Sequence, residues 1–268
     1  MAIRLIALDL DDTLLDSALR ISPDSRQAIE QVRQRGIIVT IATGRMYLSA
    51  RPYALQLGLA TPLITYEGAW VKNSQTEEIL YAKPVPHPEA REVMQFFRDR
   101  GVHFHSYYDD QLVMERLTRE GEAYARLAGV EIHLLEDLIA GLDGHDAMKI
   151  MAIANHEPTL LDIEQSLLAC YGDRLHITRS KPHFLEVMHP EADKAEALQV
   201  IARHYGLERR EVMAVGDSYN DLEMIAWAGV GVAMGNAVPE VKAQADWVTG
   251  SNDEDGVAQA LRRLMLTA

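Results

Sequence analysis

Short apolar runs alternating with helix-period stretches recur at both ends of the chain, and they fix the first elements. Residues 4–9 (RLIALD) are an apolar run that stops in acid, as expected of a strand buried on both faces. Ser22-Pro23 offers an N-cap followed by proline at the first helical position. Ala28, Ile29 and Val32 then give one narrow apolar stripe, and Gly36 stands where a C-cap glycine belongs. The β-branched run IIVTIA at 37–42 predicts a second buried strand, followed by a helix at about 46–57 and a strand at 62–66. That spacing implies right-handed βαβ units on a parallel sheet. The far end repeats the style. A helix over about 193–205 closes on Gly206, strands follow at 211–216 and 230–234 around a helix at 220–228, and a last helix lies near 255–266.

Between Pro84 and Pro190 the periodicity is mixed. Helices are expected near 88–100, 118–128 and 157–170, and strands at 103–108, 112–115, 146–154, 174–179 and 183–188. Proline-bearing segments, AKPVPHPEA (82–90) and MHPEAD (188–193), flank this stretch on both sides. Residues 84–190 therefore read as an inserted α+β domain, carried on a core formed by 1–83 and 191–268.

Composition narrows the function classes. A chain of 268 residues suits one large domain or two smaller ones. A formal net charge of −14 leaves no basic stripe to replace phosphate counterions, which argues against a general nucleic-acid binder. An acidic protein that handles phosphate needs local cations, either a few basic residues or a metal. The single cysteine, Cys170, excludes an intramolecular disulfide and fits a reducing compartment. Met1-Ala2-Ile3-Arg4 meets Asp9 without an apolar signal core, and no window approaches the ~20 apolar residues of a spanning helix, so a soluble cytoplasmic protein with no membrane partner is expected.

The candidate chemistry collects at predicted strand ends. Asp9 closes the first strand, Thr43-Gly44-Arg45 follow the second, and Gly216-Asp217 close the strand at 211–216, with Asn220-Asp221 opening the next helix. Ligands of open α/β sheets bind at this carboxyl edge. Asp9 and Asp11 share a face if extended geometry persists to Asp11, and two such carboxylates repel unless a cation joins them. Asp217 adds a third hard oxygen. Oxygen ligation without histidine or cysteine favours Mg2+ over zinc. Thr43 offers a hydroxyl, Gly44 an accessible N–H and Lys194 a positive charge, all suited to phosphate.

DLDDT (9–13), ATGR (42–45), Lys194 and GDSYND (216–221) together resemble the four motifs of the haloacid dehalogenase-like hydrolases. The large insert and GDxxND resemble their Cof-type phosphatases, and the likeness extends to SNDEDGVAQAL (251–261). The resemblance implies a doubly wound, mostly parallel Rossmann-like sheet with an inserted α+β cap domain. It implies Asp9 as nucleophile and Asp11 as general acid/base. Mg2+ would be held by Asp9, the Asp11 backbone carbonyl and Asp217, with Asp221 adjusting the metal shell. Leu10, Thr43, Gly44, Lys194 and Asn220 would hold the phosphoryl group. Small phosphorylated metabolites are the implied substrates: sugar phosphates, pyridoxal phosphate or FMN. A non-catalytic phosphometabolite sensor is the alternative, against which the presence of Asp11 argues. Two positions depart from the family pattern. Glu67 stands in TYEGAW where an asparagine is usual, and Ala195 follows Lys194 where glycine is usual.

Other residues carry plainer expectations. Asp12 has the opposite parity to its neighbours and suits a turn as well as a supporting role, and Asp16 belongs on the surface. Arg45 is balanced between touching substrate and capping a helix, and Glu186 between a substrate contact and a structural role. His103 and His105 lack a third metal ligand and read as an exposed strand face, while Cys170 reads as buried packing. The sequence leaves the oligomeric state open.

Overall fold

Leu5–Leu8 (LIAL) has no polar side chain, so it needs strand neighbours on both sides and cover on both faces. In the computed structural model, which describes residues 2–267, all four of its residues are buried and it lies inside a five-stranded parallel sheet. The strand order is Trp247–Val248, Val230–Ala233, Val212–Gly216, Leu5–Leu8, Ile38–Ile41. The chain leaves the first strand toward Ile38–Ile41 on one side, and the later strands build outward on the other. Leu5–Leu8 and Val212–Gly216 therefore flank a topological switch point, with their carboxyl ends side by side. Ser22 caps helix Pro23–Gln34 as expected, its hydroxyl accepting from Ser25 N–H at 3.0 Å, and this helix packs against the final one, Gly256–Thr267. The fold is a doubly wound, mostly parallel α/β sheet with an inserted α+β domain.

The chain divides into two compact units. One comprises Met1–Gly44, Ala50–Tyr81 and Asp193–Ala268, and the other Arg45–Ser49 and Ala82–Ala192.

Within the first unit, the strand expected at 62–66 takes a different place. Pro62–Thr65 opens a three-stranded antiparallel sheet with Trp70–Asn73 and Ile79–Ala82. It meets the edge of the parallel sheet through the bridge Ala42 to Ile64 and a hydrogen bond from the Thr40 hydroxyl to Pro62 O. Chain direction reverses at once through the tight turn Tyr66–Gly68, so no crossover helix follows to continue the parallel order. The helix expected at 220–228 is split into a single turn, Tyr219–Asp221, and a short helix, Leu222–Trp227.

The second unit is built on a six-stranded sheet ordered His176–Lys181, Phe184–Met188, Ala147–Ile153, His103–Tyr108, Gln111–Met114, Ile132–Leu134. One face carries Phe104, Tyr108, Ile150, Ala152, Leu185 and Val187 into an apolar core closed by helices His87–Asp99 and Glu157–Tyr171. The opposite face holds His103, His105 and Tyr107, and here an expectation fails. His105 is wholly buried. The helix Arg119–Ala128 lies against this strand, and its Tyr124 ring sits 4.6 Å from the His105 ring. A hydrogen-bond chain runs from Thr118 through His103 and His105 to Tyr107 and Tyr124. Alternation along a strand gives facing, but only a helix arriving from elsewhere decides cover. Burial pushes the His105 imidazole well below its ordinary range and so keeps it neutral. Cys170 is exposed, not packed: it continues the spacing of Leu160, Ile163 and Leu167 but falls in the last turn of helix Glu157–Tyr171, past the last buried residue of that stripe. Asp16 is more engaged than a surface acid: its carboxylate accepts from the N–H groups of Ala18 and Arg20, both at 2.9 Å.

Candidate active site

Asp9 leaves strand Leu5–Leu8 at its carboxyl end, its N–H bonded to Val215 O at 2.9 Å. The chain then closes a wide turn over Leu10–Leu14, with Leu15 N–H on Leu10 O at 2.9 Å and Asp12 in the left-handed region at φ 57°. Asp12 serves this turn: its side chain is exposed and its carbonyl accepts from Asn236 Nδ2 at 2.8 Å. The turn carries Thr13 to Asp217, where the hydroxyl donates to Oδ1 at 2.7 Å.

Lys194 begins helix Lys194–His204, capped by the Asp193 carboxylate on Ala195 N–H at 2.6 Å. An ammonium at a helix N-terminus meets the positive end of the helix dipole, and this one is buried as well. Carboxylates supply the compensation. Lys194 Nζ donates to Asp9 Oδ1 and to Asp221 Oδ1, each at 2.7 Å, and lies 4.0 Å from Glu67 Oε2. Asp221 is committed on both oxygens, since Oδ2 accepts the N–H groups of Asp217 at 3.0 Å and Ser218 at 3.1 Å. That approach requires Gly216, because a Cβ there would stand 2.5 Å from Asp221 Cγ.

Glu67 enters from the turn Tyr66–Gly68. Its own N–H reaches Thr43 O at 3.3 Å, and Asn220 Nδ2 donates to its Oε2 at 2.8 Å. Thr43 is buried at the end of Ile38–Ile41, its N–H on Ile64 O at 2.9 Å. Leu10 is buried beside Asp9, and Asp11 is half-buried.

Electrostatics follow from this crowding. Burial, then the neighbouring Asp221, push the Asp9 carboxyl well above its ordinary range, against the pull of Lys194. Asp217 is pushed up to about 7, chiefly by burial, with Asp221 and Asp12 adding to it and the Thr13 hydrogen bond opposing. Burial works to lower the Lys194 ammonium, but Asp221, Asp9 and Glu67 outweigh it and hold it well above the usual lysine range. Among the described residues, Asp9, Asp217 and Asp221 each offer an oxygen within 4.8 Å of the others. Three hard oxygen donors gathered so closely, with burial raising the carboxyls of Asp9 and Asp217, are a fitting seat for a divalent cation.

The first unit thus gathers Asp9, Lys194, Asp217, Asp221 and Asn220 around shared hydrogen bonds. Arg45 and Glu186 belong to the second unit, where Glu186 is buried and accepts from Lys149 Nζ at 3.1 Å. Two participants escape sequence reasoning. Thr13 lies within DLDDT yet gave no signal of its hold on Asp217. Glu67 was visible only as a departure from a pattern, which is a sign of difference and not of place.

The model of the haloacid dehalogenase-like hydrolase family matches residues 6–261. The chain belongs to that family. Among curated relatives, an HMP-PP phosphatase of Serratia proteamaculans is 35% identical over 240 residues, covering 89% of this chain and 86% of its own. A 5-amino-6-(5-phospho-D-ribitylamino)uracil phosphatase of Bacillus subtilis is 32% identical, with 96% of both chains covered. A haloacid dehalogenase-like hydrolase of known structure from Bacteroides thetaiotaomicron superposes with a TM-score of 0.90 at 32% identity, over 98% of this chain and 99% of that one. Within the superfamily this hydrolase stands among phosphatases. Among the described residues no helix is long and apolar enough to cross a membrane.

Proposed function

We propose that this hydrolase is a cytoplasmic, Mg2+-dependent phosphatase of small phosphorylated metabolites, working through an aspartyl-phosphate on Asp9. The observation that carries the reading is the buried Lys194 ammonium, bonded to Asp9 and Asp221 at 2.7 Å beside Asp217. Lys194 neutralises part of the charge at Asp9 and fixes its Oδ1, which orients the carboxylate for attack. Asp9 attacks phosphorus in line, so a bond from its oxygen to phosphorus forms as the bond to the leaving alcohol breaks. Asp11 gives its proton to the departing oxygen, then takes one from the water that hydrolyses the acyl phosphate, which frees phosphate and restores Asp9. Leu10, Thr43, Gly44, Lys194 and Asn220 hold the phosphoryl group. Asp9, the Asp11 carbonyl and Asp217, with Asp221 behind them, would hold Mg2+, which when bound supplies the positive charge that lets an anionic nucleophile meet an anionic substrate.

Arg45 and Glu186 are candidates for contact with the leaving group, and sugar phosphates, pyridoxal phosphate and FMN are the substrates to try. A panel of these assayed with Mg2+ and ranked by kcat/KM tests the class. The nucleophile is tested by Asp9→Asn, expected to lower kcat by about a thousandfold or more. Substantial remaining Mg2+-dependent turnover would remove Asp9 from its role.

A further inference from the structure

The Glu67 carboxylate is an anion placed among groups suited to binding one. Asn220 Nδ2 donates to its Oε2 at 2.8 Å, and Lys194 Nζ lies 4.0 Å from the same oxygen. Its other oxygen lies so close over Gly44 that a Cβ built there would stand 1.8 Å from Oε1. Gly44, Lys194 and Asn220 are three of the five residues assigned above to the phosphoryl group. We propose that the Glu67 carboxylate is a tethered occupant of the phosphoryl subsite, an internal anion that a substrate phosphate must displace. The proposal rests on the phosphatase reading of this site.

Two physical points support it. The first is competition for donors. Lys194 already faces Asp9 and Asp221, and a phosphate dianion drawn to the same ammonium and amide meets a third carboxylate at close range. Two anions cannot share one set of donors in a site this buried without strong repulsion, so one of them leaves. The second is anchorage. Tyr66 and Glu67 have φ of 52° and 55°, the Glu67 N–H is held by Thr43 O, and Gly68 packs against the Asp193 carbonyl. The backbone of this turn is pinned, so displacement is a rotation of the Glu67 side chain about its own bonds. The same side chain can return as product phosphate departs, and so favours release.

A protein whose binding-competent state is a fraction of the population binds its ligand more weakly by that fraction. With Glu67 seated for about nine parts in ten, removing its charge strengthens phosphate binding about tenfold. Inorganic phosphate, titrated calorimetrically in Mg2+ buffer into the wild-type chain and into Glu67→Gln and Glu67→Asn, measures this. Both variants are expected to bind phosphate about tenfold more tightly. The KM for p-nitrophenyl phosphate is expected to fall in parallel, the gain lying in KM and not in kcat. Asparagine tolerates the left-handed backbone, so a failure of the glutamine variant to fold leaves the other to decide. Equal or weaker phosphate binding by a variant that melts cooperatively overturns the proposal. A wild-type chain that neither binds phosphate nor hydrolyses p-nitrophenyl phosphate overturns the phosphatase reading, and this inference with it.

Discussion

Lys194 brings one positive charge into the company of Asp9, Asp221 and Glu67, and almost everything at the site depends on that imbalance. Without a further cation the pocket holds more negative than positive charge, which is why Asp9 and Asp217 retain their protons so far above the ordinary carboxylate range. Lys194→Met removes the ammonium from a preorganised, water-poor site, and kcat/KM is expected to fall by about 10²–10³. Lys194→Arg is not expected to restore it, since a planar fork cannot replace a point charge between two carboxylates. The Asp217 shift gives a second expectation. A divalent cation needs the ionised carboxylate, so below about 7 it must expel a proton first. Mg2+ affinity measured by calorimetry should weaken at least about tenfold per pH unit as pH drops below that value, since Asp9 must shed its proton too, and Asp217→Asn should make the dependence shallower. In the cation-free protein the sign reverses for stability. The folded state binds this proton more tightly than the unfolded chain, so Asp217 contributes less as pH rises from about 4 through about 7.

At the scale of elements, the turn Tyr66–Gly68 connects the antiparallel sheet to the start of helix Lys194–His204. Gly68 has φ 97°, and a Cβ there would stand 2.2 Å from Asp193 O, the residue that caps the helix. Gly68→Ala combines a disfavoured backbone with a clash against another backbone, which cannot step aside as a flexible side chain would. A loss of about 1–3 kcal/mol or more is expected, read as a lower melting midpoint, together with reduced activity because Lys194 is displaced. Such a turn was readable in the letters TYEGAW only as a break in the strand. The strands the sequence missed, Trp70–Asn73, Ile79–Ala82, Ile132–Leu134 and Trp247–Val248, are two to four residues long. Runs so short carry no periodicity, and they are strands because a neighbour offers its edge.

For the whole molecule, the excess of acid is partly a property of the site. With a formal charge of −14 the chain has little long-range attraction for phosphate, and local donors must do the capturing. A cation that binds the folded site and not the unfolded chain stabilises it by mass action, about 2.7 kcal/mol at a hundredfold excess over its Kd. The melting midpoint is therefore expected to rise in Mg2+ and to fall back with EDTA, while Asp217→Asn should abolish most of the response. Measured by calorimetry, an unchanged midpoint in Mg2+ would speak against a cation at Asp9, Asp217 and Asp221.

The apolar runs that became Leu5–Leu8, Ile38–Ile41, Val212–Gly216 and Val230–Ala233, the helix capped by Ser22 and the acids at strand ends were legible in the chain. Each rests on a local rule: a strand without polar side chains must be buried, and a Ser-Pro pair starts a helix. The clustering of Asp9, Asp217 and Asp221 was legible too, because parallel strands put their carboxyl ends on one edge. Tertiary structure alone decided what those acids touch. It placed Thr13 on Asp217, set Glu67 among Gly44, Lys194 and Asn220, and buried His105 beneath a helix. These contacts join residues as many as 204 positions apart, and no local pattern records which donor meets which acceptor once the chain has closed on itself.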